Sequence, residues 1–155
     1  MKKIALSAVP VRERISPKGR FHVVRRDISA VHGARDEAGN ALHPYEIEYV
    51  EIPPGKRNFL YHSHSAEHET YLIVKGQGKL RTPAGDVSIT AGDCIHCPPG
   101  EPHHMINDSD ANLGYYVIAN NTAGDVCYYP DSDKWLIPMQ QPFRMTQCDF
   151  WDGEE

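Results

Sequence analysis

Glycine, proline, aspartate and asparagine recur through the middle of this chain at such short intervals that little besides short strands fits between them. The clusters are Pro53-Pro54-Gly55, Lys75-Gly76-Gln77-Gly78, Pro83-Ala84-Gly85-Asp86, Ala91-Gly92-Asp93, Pro98-Pro99-Gly100 and Asn107-Asp108-Ser109-Asp110. Glycine permits backbone angles that other residues resist, and Asn, Asp and Pro favour turns. The intervals left between them predict strands near 21–24, 45–52, 58–64, 69–74, 78–82, 86–90, 94–97, 103–107 and 113–119. No amphipathic helix of ordinary length interrupts them, so the expectation is an all-β antiparallel sandwich or barrel rather than alternating strands and helices. Within 45–52 the residues alternate, which predicts one side packed on the core and the acidic side, with Glu46 and Glu48, in solvent.

Beyond Asn120 the pattern loosens. Residues 125–130 and 134–138 read as short strands or as an ordered extension across the barrel. Their tyrosines and Trp135 could cover an apolar sheet face or a neighbouring subunit. Trp151 stands near an acidic end, 152–155, that is expected to fray.

With 155 residues the chain fits one domain over 1–155, with arms at about 1–40 and 120–155. The formal charge of -5 and the lack of a long Lys/Arg run give no electrostatic reason to expect nucleic acid. Arg12, Arg14, Lys18 and Arg20 read as solvating a terminal segment. No stretch approaches the roughly 20 apolar residues that cross a bilayer, so no membrane is expected. The start, 1–11, has a short apolar run containing Ser7 and Pro10; it reads as a strand or ordered arm, with the cytoplasm as the default location. Cys94 and Cys97, three apart on a strand, would point to opposite faces, which suits neither a disulfide nor a shared ligand. The four cysteines read as buried or half-buried thiols.

The chemistry concentrates in four residues. His62 and His64 are one residue apart, so strand alternation turns both imidazoles to one face. Glu69 follows five residues later, and His103 arrives after a second glycine-rich stretch. Together they form a nitrogen and oxygen set suited to iron, manganese, nickel, zinc or cobalt rather than calcium. Three histidines and a carboxylate leave positions open on a five- or six-coordinate ion, where substrate or water can bind. Glu67 competes with Glu69 for the carboxylate role. His104 should face away from His103, His68 reads as a surface or outer-layer residue, and His96 faces either the cavity or the packing; His22, His32 and His43 read as ordinary. If Glu69 points inward, so should Tyr71 and Ile73; if His103 does, so should Met105 and Asn107; Leu60 should follow His62. That makes a cavity with an apolar body and a few polar tips, in which Tyr71 either orients a substrate oxygen or fills the barrel. Lys79 and Arg81 are expected in solvent.

These motifs resemble the cupin superfamily. Its first motif corresponds to Gly55, His62-Ser63-His64, Glu69 and Gly76, with a six-residue spacer after Gly55 where five is usual. Its second corresponds to Gly92, Pro98-Pro99-Gly100, His103 and Asn107, at every position. The motifs cover 55–107. The resemblance implies a double-stranded β-helix, or jelly-roll, barrel with the ion inside its wider end, held by His62, His64, Glu69 and His103. Tyr128-Tyr129-Pro130-Asp131 also resembles the tail of small bacterial cupins loosely labelled sugar-phosphate isomerase-like.

The function expected is that of a divalent-metal enzyme acting on a small organic substrate. It would be either an isomerase or epimerase, with Glu69 or a nearby histidine moving protons, or a dioxygenase. The rival is a non-catalytic cupin that uses the metal to hold its ligand; a third is a barrel that the metal only braces. Exposed sheet edges, and the habit of many cupins, imply a homodimer.

Overall fold

The computed structural model describes residues 1–31, 33, 45–137, 141–148 and 152. His32, His43, Trp151 and most of the acidic end lie outside the described residues. Strands β1 (Arg12–Ile15), β2 (His22–Asp27), β3 (Tyr45–Ile52), β5 (Glu69–Lys75), β8 (Cys94–Cys97) and β10 (Leu113–Asn120) build a six-stranded antiparallel sheet in the order β1-β2-β3-β10-β5-β8. Opposite it, β6 (Gln77–Thr82), β7 (Gly85–Thr90) and β9 (His104–Ile106) pair as β7-β6-β9. A third set, β12-β11-β4, joins β4 (Ser63–His64), β11 (Cys127–Tyr129) and β12 (Lys134–Leu136). The His62–His103 bridge links the two smaller sets, with His62 N–H to His103 O at 3.2 Å and the reciprocal bond at 2.8 Å. The result is the antiparallel barrel expected from the turn spacing, in the jelly-roll form that the cupin resemblance implies. Helical structure among the described residues is confined to one turn, α1 (Ile28–Val31), and a 3-10 turn at Leu6–Ala8.

The core lies between the large sheet and β6, β7 and β9. Val23, Val50, Ile52, Tyr71, Ile73, Leu80, Ile89, Cys97, Met105, Leu113 and Tyr115 form one buried cluster. Burial of this apolar surface is the main favourable term for a fold with so few local contacts. Gly76 closes the β5–β6 turn at φ +74, and a Cβ there would run into the Asn112 carbonyl oxygen.

Three expectations need correction. The acidic side of β3 does not meet solvent. Val50 and Ile52 anchor the inward face, and parity brings Glu46 and Glu48 in with them, leaving Glu48 only 6% exposed. The outer side keeps its apolar residues because other groups cover it. Ile47 N–H donates to Ser29 Oγ at 2.6 Å beside α1, and Tyr49 packs on Tyr116. Second, 58–64 is not one continuous strand. Asn58 bonds Met105 and His62 bonds His103, so residues 59–61 bulge opposite the single His104. This bulge sits in the six-residue spacer, and it leaves Leu60 41% exposed at the cavity wall. Third, Cys94 and Cys148 are exposed; Cys97 is buried and Cys127 half-buried, all as free thiols.

Arg81 is not left in solvent either. Its guanidinium stacks 3.8 Å from the centre of the Tyr61 ring and donates two hydrogen bonds to Asp131, at 2.6 and 2.8 Å. That clamp ties the β11–β12 turn to β6. Both partners are partly exposed, so Arg81→Ala is expected to cost only about 1 kcal/mol in a denaturation curve. It should nonetheless speed hydrogen exchange in 127–136 selectively.

Candidate metal centre

His62, His64 and Glu69 offer ligand atoms that all lie within 4.8 Å of one another. Strand geometry explains the convergence. His62 and His103 are cross-strand partners with rings 5.0 Å apart, and His64 lies two residues along, its ring 5.1 Å from His62. Glu69 reaches in from β5 across the barrel, its Oε2 2.8 Å from His103 Nε2 and 3.6 Å from His64 Nε2.

Each imidazole is oriented from behind. His62 Nδ1–H donates to Leu60 O at 2.8 Å, and His103 Nδ1–H to Glu101 O at 2.9 Å. His64 Nδ1–H donates to Asp125 Oδ2 at 2.6 Å. A carbonyl only accepts, so the first two bonds require a proton on Nδ1 and direct Nε2 into the site. This outer layer is the arrangement that metal-binding histidines use.

The protons behave accordingly. With Nδ1–H committed, the His103 contact to Glu69 needs a second proton on Nε2. Burial opposes that charge, but Cys97 and Glu69 outweigh burial and push His103 up to about 10. His64 also rises to about 10, burial again being outweighed by Cys127, Glu69 and Asp125. His62 falls to about 4, through burial and the neighbouring imidazoles. Burial would raise Glu69, yet the His103 hydrogen bond and the charges of the three histidines hold it down at about 2. An anionic carboxylate amid imidazoles that share protons is a donor set in which a divalent cation can replace those protons. The residues therefore fit such an ion.

Tyr71 donates to Glu69 Oε2 at 2.9 Å and lies 3.1 Å from His103 Nε2. Burial and the Glu69 charge keep its phenol protonated. Glu67 sits on the other side of His64, 3.9 Å from Nδ1, away from the inward Nε2 atoms. Burial, with the Glu69, Asp125 and Glu46 carboxylates, outweighs His64 and pushes it up to about 7. His104 turns away and is 1% exposed, edge-on to Tyr61. His68 and His96 stack on each other in an exposed position at a ring distance of 5.3 Å. Tyr71, Ile73, Met105 and Asn107 are all buried, and of these Tyr71 alone lines the cavity.

The cavity occupies about 560 Å³. Its wall includes His62, His64 and Glu69 at one end, Tyr71, Tyr115, Val117 and Ala119 along the sheet, and Arg25, Glu46 and Glu48 beyond them. Lys79 and Arg81 take no part; among the described residues Arg14 and Arg25 are the lining arginines. Asp125, Cys127 and Tyr129 were missed by sequence reasoning. Asp125 Oδ1 also accepts the Ala66 and Glu67 N–H groups at 2.8 and 3.1 Å, holding the loop that delivers Glu69. Tyr129 stacks on His62 at 6.1 Å. Alternation along 127–129 puts Cys127 and Tyr129 on one face, the only local signal for them; nothing near Asp125 in sequence marks its partner 61 residues away.

Glu48 shows what burial does to an acid here. Desolvation outweighs Arg25, whose Nη1 is 3.4 Å away, and pushes the carboxyl up to about 7. A carboxyl raised on folding costs stability as pH climbs from its unfolded value through its folded one. Glu48→Gln is thus expected to stabilise the protein by about 1–3 kcal/mol at pH 8 and to leave it unchanged near pH 4. Thermal melts at the two pH values check this.

Residues 48–119 match the Cupin_2 family of cupin domains. A putative sugar phosphate isomerase from Acidithiobacillus ferrooxidans superposes with a TM-score of 0.72 at 25% identity, over 84% of this chain and 80% of that one. A sugar phosphate isomerase from a cupin superfamily, from Silicibacter pomeroyi, gives a TM-score of 0.78 at 22% identity over 92% of each chain. An oxalate-binding protein of Thermotoga maritima is 33% identical over 69 residues, which is 44% of this chain and 56% of that protein. The matched segment thus spans about half the length of that curated relative. Residues 48–119 thus form a cupin domain, and the jelly-roll fold agrees with that match.

Proposed function

We propose that this cupin is a metal-dependent enzyme acting on a small polar organic molecule, with isomerase or epimerase chemistry as the leading form. His62, His64, Glu69 and His103 would hold the ion. The observation that carries this reading is the backing of all three histidines through Nδ1: His62 and His64 then group with an ionised Glu69 at the wall of a cavity, and the buried His103 meets the same carboxylate through Nε2 at 2.8 Å. When bound, the metal would supply Lewis acidity, polarising a carbonyl or a neighbouring hydroxyl. Glu69, held low, serves as ligand and acceptor, and Tyr71 positions it. Glu67, near neutrality and lining the cavity, is better suited than Glu69 to carry a proton. The sugar phosphate isomerases among the structural neighbours support this direction, at low sequence identity.

A binding role is the second reading, favoured by the similarity to the Thermotoga oxalate-binding protein. The two part on turnover. The first experiment is metal analysis by mass spectrometry on untagged protein. About one transition metal per chain supports the site. A folded protein that neither contains nor takes up Mn(II), Fe(II), Co(II), Ni(II) or Zn(II) rejects it. Asp125→Asn is then expected to weaken metal binding by about 10–100-fold, because Nδ1 of His64 loses its anionic acceptor; chelator competition measures it. A homodimer through the exposed edge strand β1 accompanies the proposal, and light scattering decides it. No helix among the described residues is long and apolar enough to cross a membrane.

A further inference from the structure

The cavity has a second polar end that the metal centre does not use. Along the inner face of the large sheet, Glu46 pairs with Ala119 and Ala119 with Glu69; in the next row Glu48 pairs with Val117 and Val117 with Tyr71. Glu46 and Glu48 thus stand two strands from Glu69 and Tyr71, about 10 Å across the sheet. The residues between them are Ala119 and Val117, which leave the path open above the sheet. Arg25 joins Glu48 at this far end, Nη1 to Oε2 at 3.4 Å, and all three side chains line the same cavity as His62 and His64. A core position two strands from the proposed metal would normally be apolar, since burying a charged pair costs more than burying a hydrocarbon of the same size. Here the pair is loosely made and faces open space.

From this geometry we infer that the site takes a bipolar ligand: a short hydroxy acid or related sugar derivative whose head binds the metal and whose hydroxylated tail is held by Arg25, Glu48 and Glu46. The inference rests on the metal-site reading above. The tail is neutral because the far end is electrically mixed. Arg25, with Arg14 also on the cavity wall, disfavours an ammonium group, and Glu46 and Glu48 disfavour a second anion. Hydroxyls satisfy both sides, accepting from the guanidinium and donating to carboxylate oxygens. Asp27 lies in the same cluster but is committed to the start of α1, where its Oδ1 accepts the Ala30 N–H at 2.7 Å. The carboxyl of Glu48, near half-ionised at neutral pH, can either donate to or accept from such a tail. The distance suits a chain of roughly four to six carbons, allowing one hydrogen-bond length at the far end.

The test uses the full-length protein loaded with Co(II), whose visible spectrum reports ligands entering the metal's surroundings. Glycolate and D-erythronate share the same carboxylate and α-hydroxyl head, but only erythronate carries the hydroxylated tail. Calorimetry is expected to show erythronate binding at least about tenfold more tightly than glycolate. Glu48→Leu should remove most of that advantage and leave glycolate within twofold of wild type. Arg25→Met, at a partly exposed side chain, should do the same and serves if Glu48→Leu does not fold. Equal affinities for the two acids in the wild type, or equal losses of both in the variants, would overturn the bipolar ligand and leave the metal centre standing. An unchanged spectrum with both acids in the Co(II)-loaded protein overturns this inference alone, whereas failure to take up Co(II) overturns the metal reading and this inference with it.

Discussion

His103→Ala is expected to lower metal affinity by at least about a hundredfold, leaving near-zero metal in the purified protein. The variant would lose more than the proposed ligand atom. His103 Nε2 lies 2.8 Å from Glu69 Oε2, and its Nδ1–H holds the Glu101 carbonyl, so the ring also fixes where the carboxylate sits. Tyr71 would keep one hydrogen bond to Glu69 but supplies no metal nitrogen. The control is the adjacent residue. His104→Leu should retain its metal, because that ring is buried on the opposite side of the strand against Tyr61. Metal content of the two variants, measured side by side, checks the assignment. Equal loss from both would mean that general destabilisation, rather than ligation, accounts for the effect.

The second large effect concerns stability. Asn107→Ala is expected to cost about 2–4 kcal/mol in chemical denaturation. Asn107 is fully buried, and its amide donates to Ile52 O and Ala111 O, both at 2.7 Å. Its side-chain oxygen accepts from Ser109 N–H at 3.1 Å and from the Ser109 hydroxyl at 2.7 Å. One side chain thus ties the end of β3 to the turn between β9 and β10. Alanine would leave the buried Ile52 carbonyl without that donor. Unlike His103→Ala, this change should lower stability while leaving the metal affinity of the folded fraction close to wild type.

Asn107 and His103 entered through the same sequence motif, and the structure assigns them different work. The motif spacing was enough to mark both as special. It could not separate a hydrogen-bonded brace from a ring that meets Glu69, because that depends on what lies opposite each of them. The strand positions were similarly open to reading: 45–52 and 94–97 agree with β3 and β8 to the residue. The segment 58–64 was harder, because its bulge arises from pairing with β9 and the six-residue spacer after Gly55 is its one local trace.

The amino-acid sequence by itself determined the all-β class, the turn positions and the four residues proposed as ligands. Those are short-range matters: turn chemistry, a two-residue side-chain period, and the scarcity of His-x-His followed by Glu. Only the tertiary structure decided which face of β3 lies inside, and so brought Glu46 and Glu48 into the cavity. Both faces of that strand carry apolar residues, and the choice between them was made by what covers each: the barrel core on one side, α1 and Tyr116 on the other. The same holds for Asp125, which lies 61 residues from His64 in the chain and 2.6 Å from it in space. A hydrogen bond across that separation is set by the closure of the whole barrel, and no local pattern encodes it.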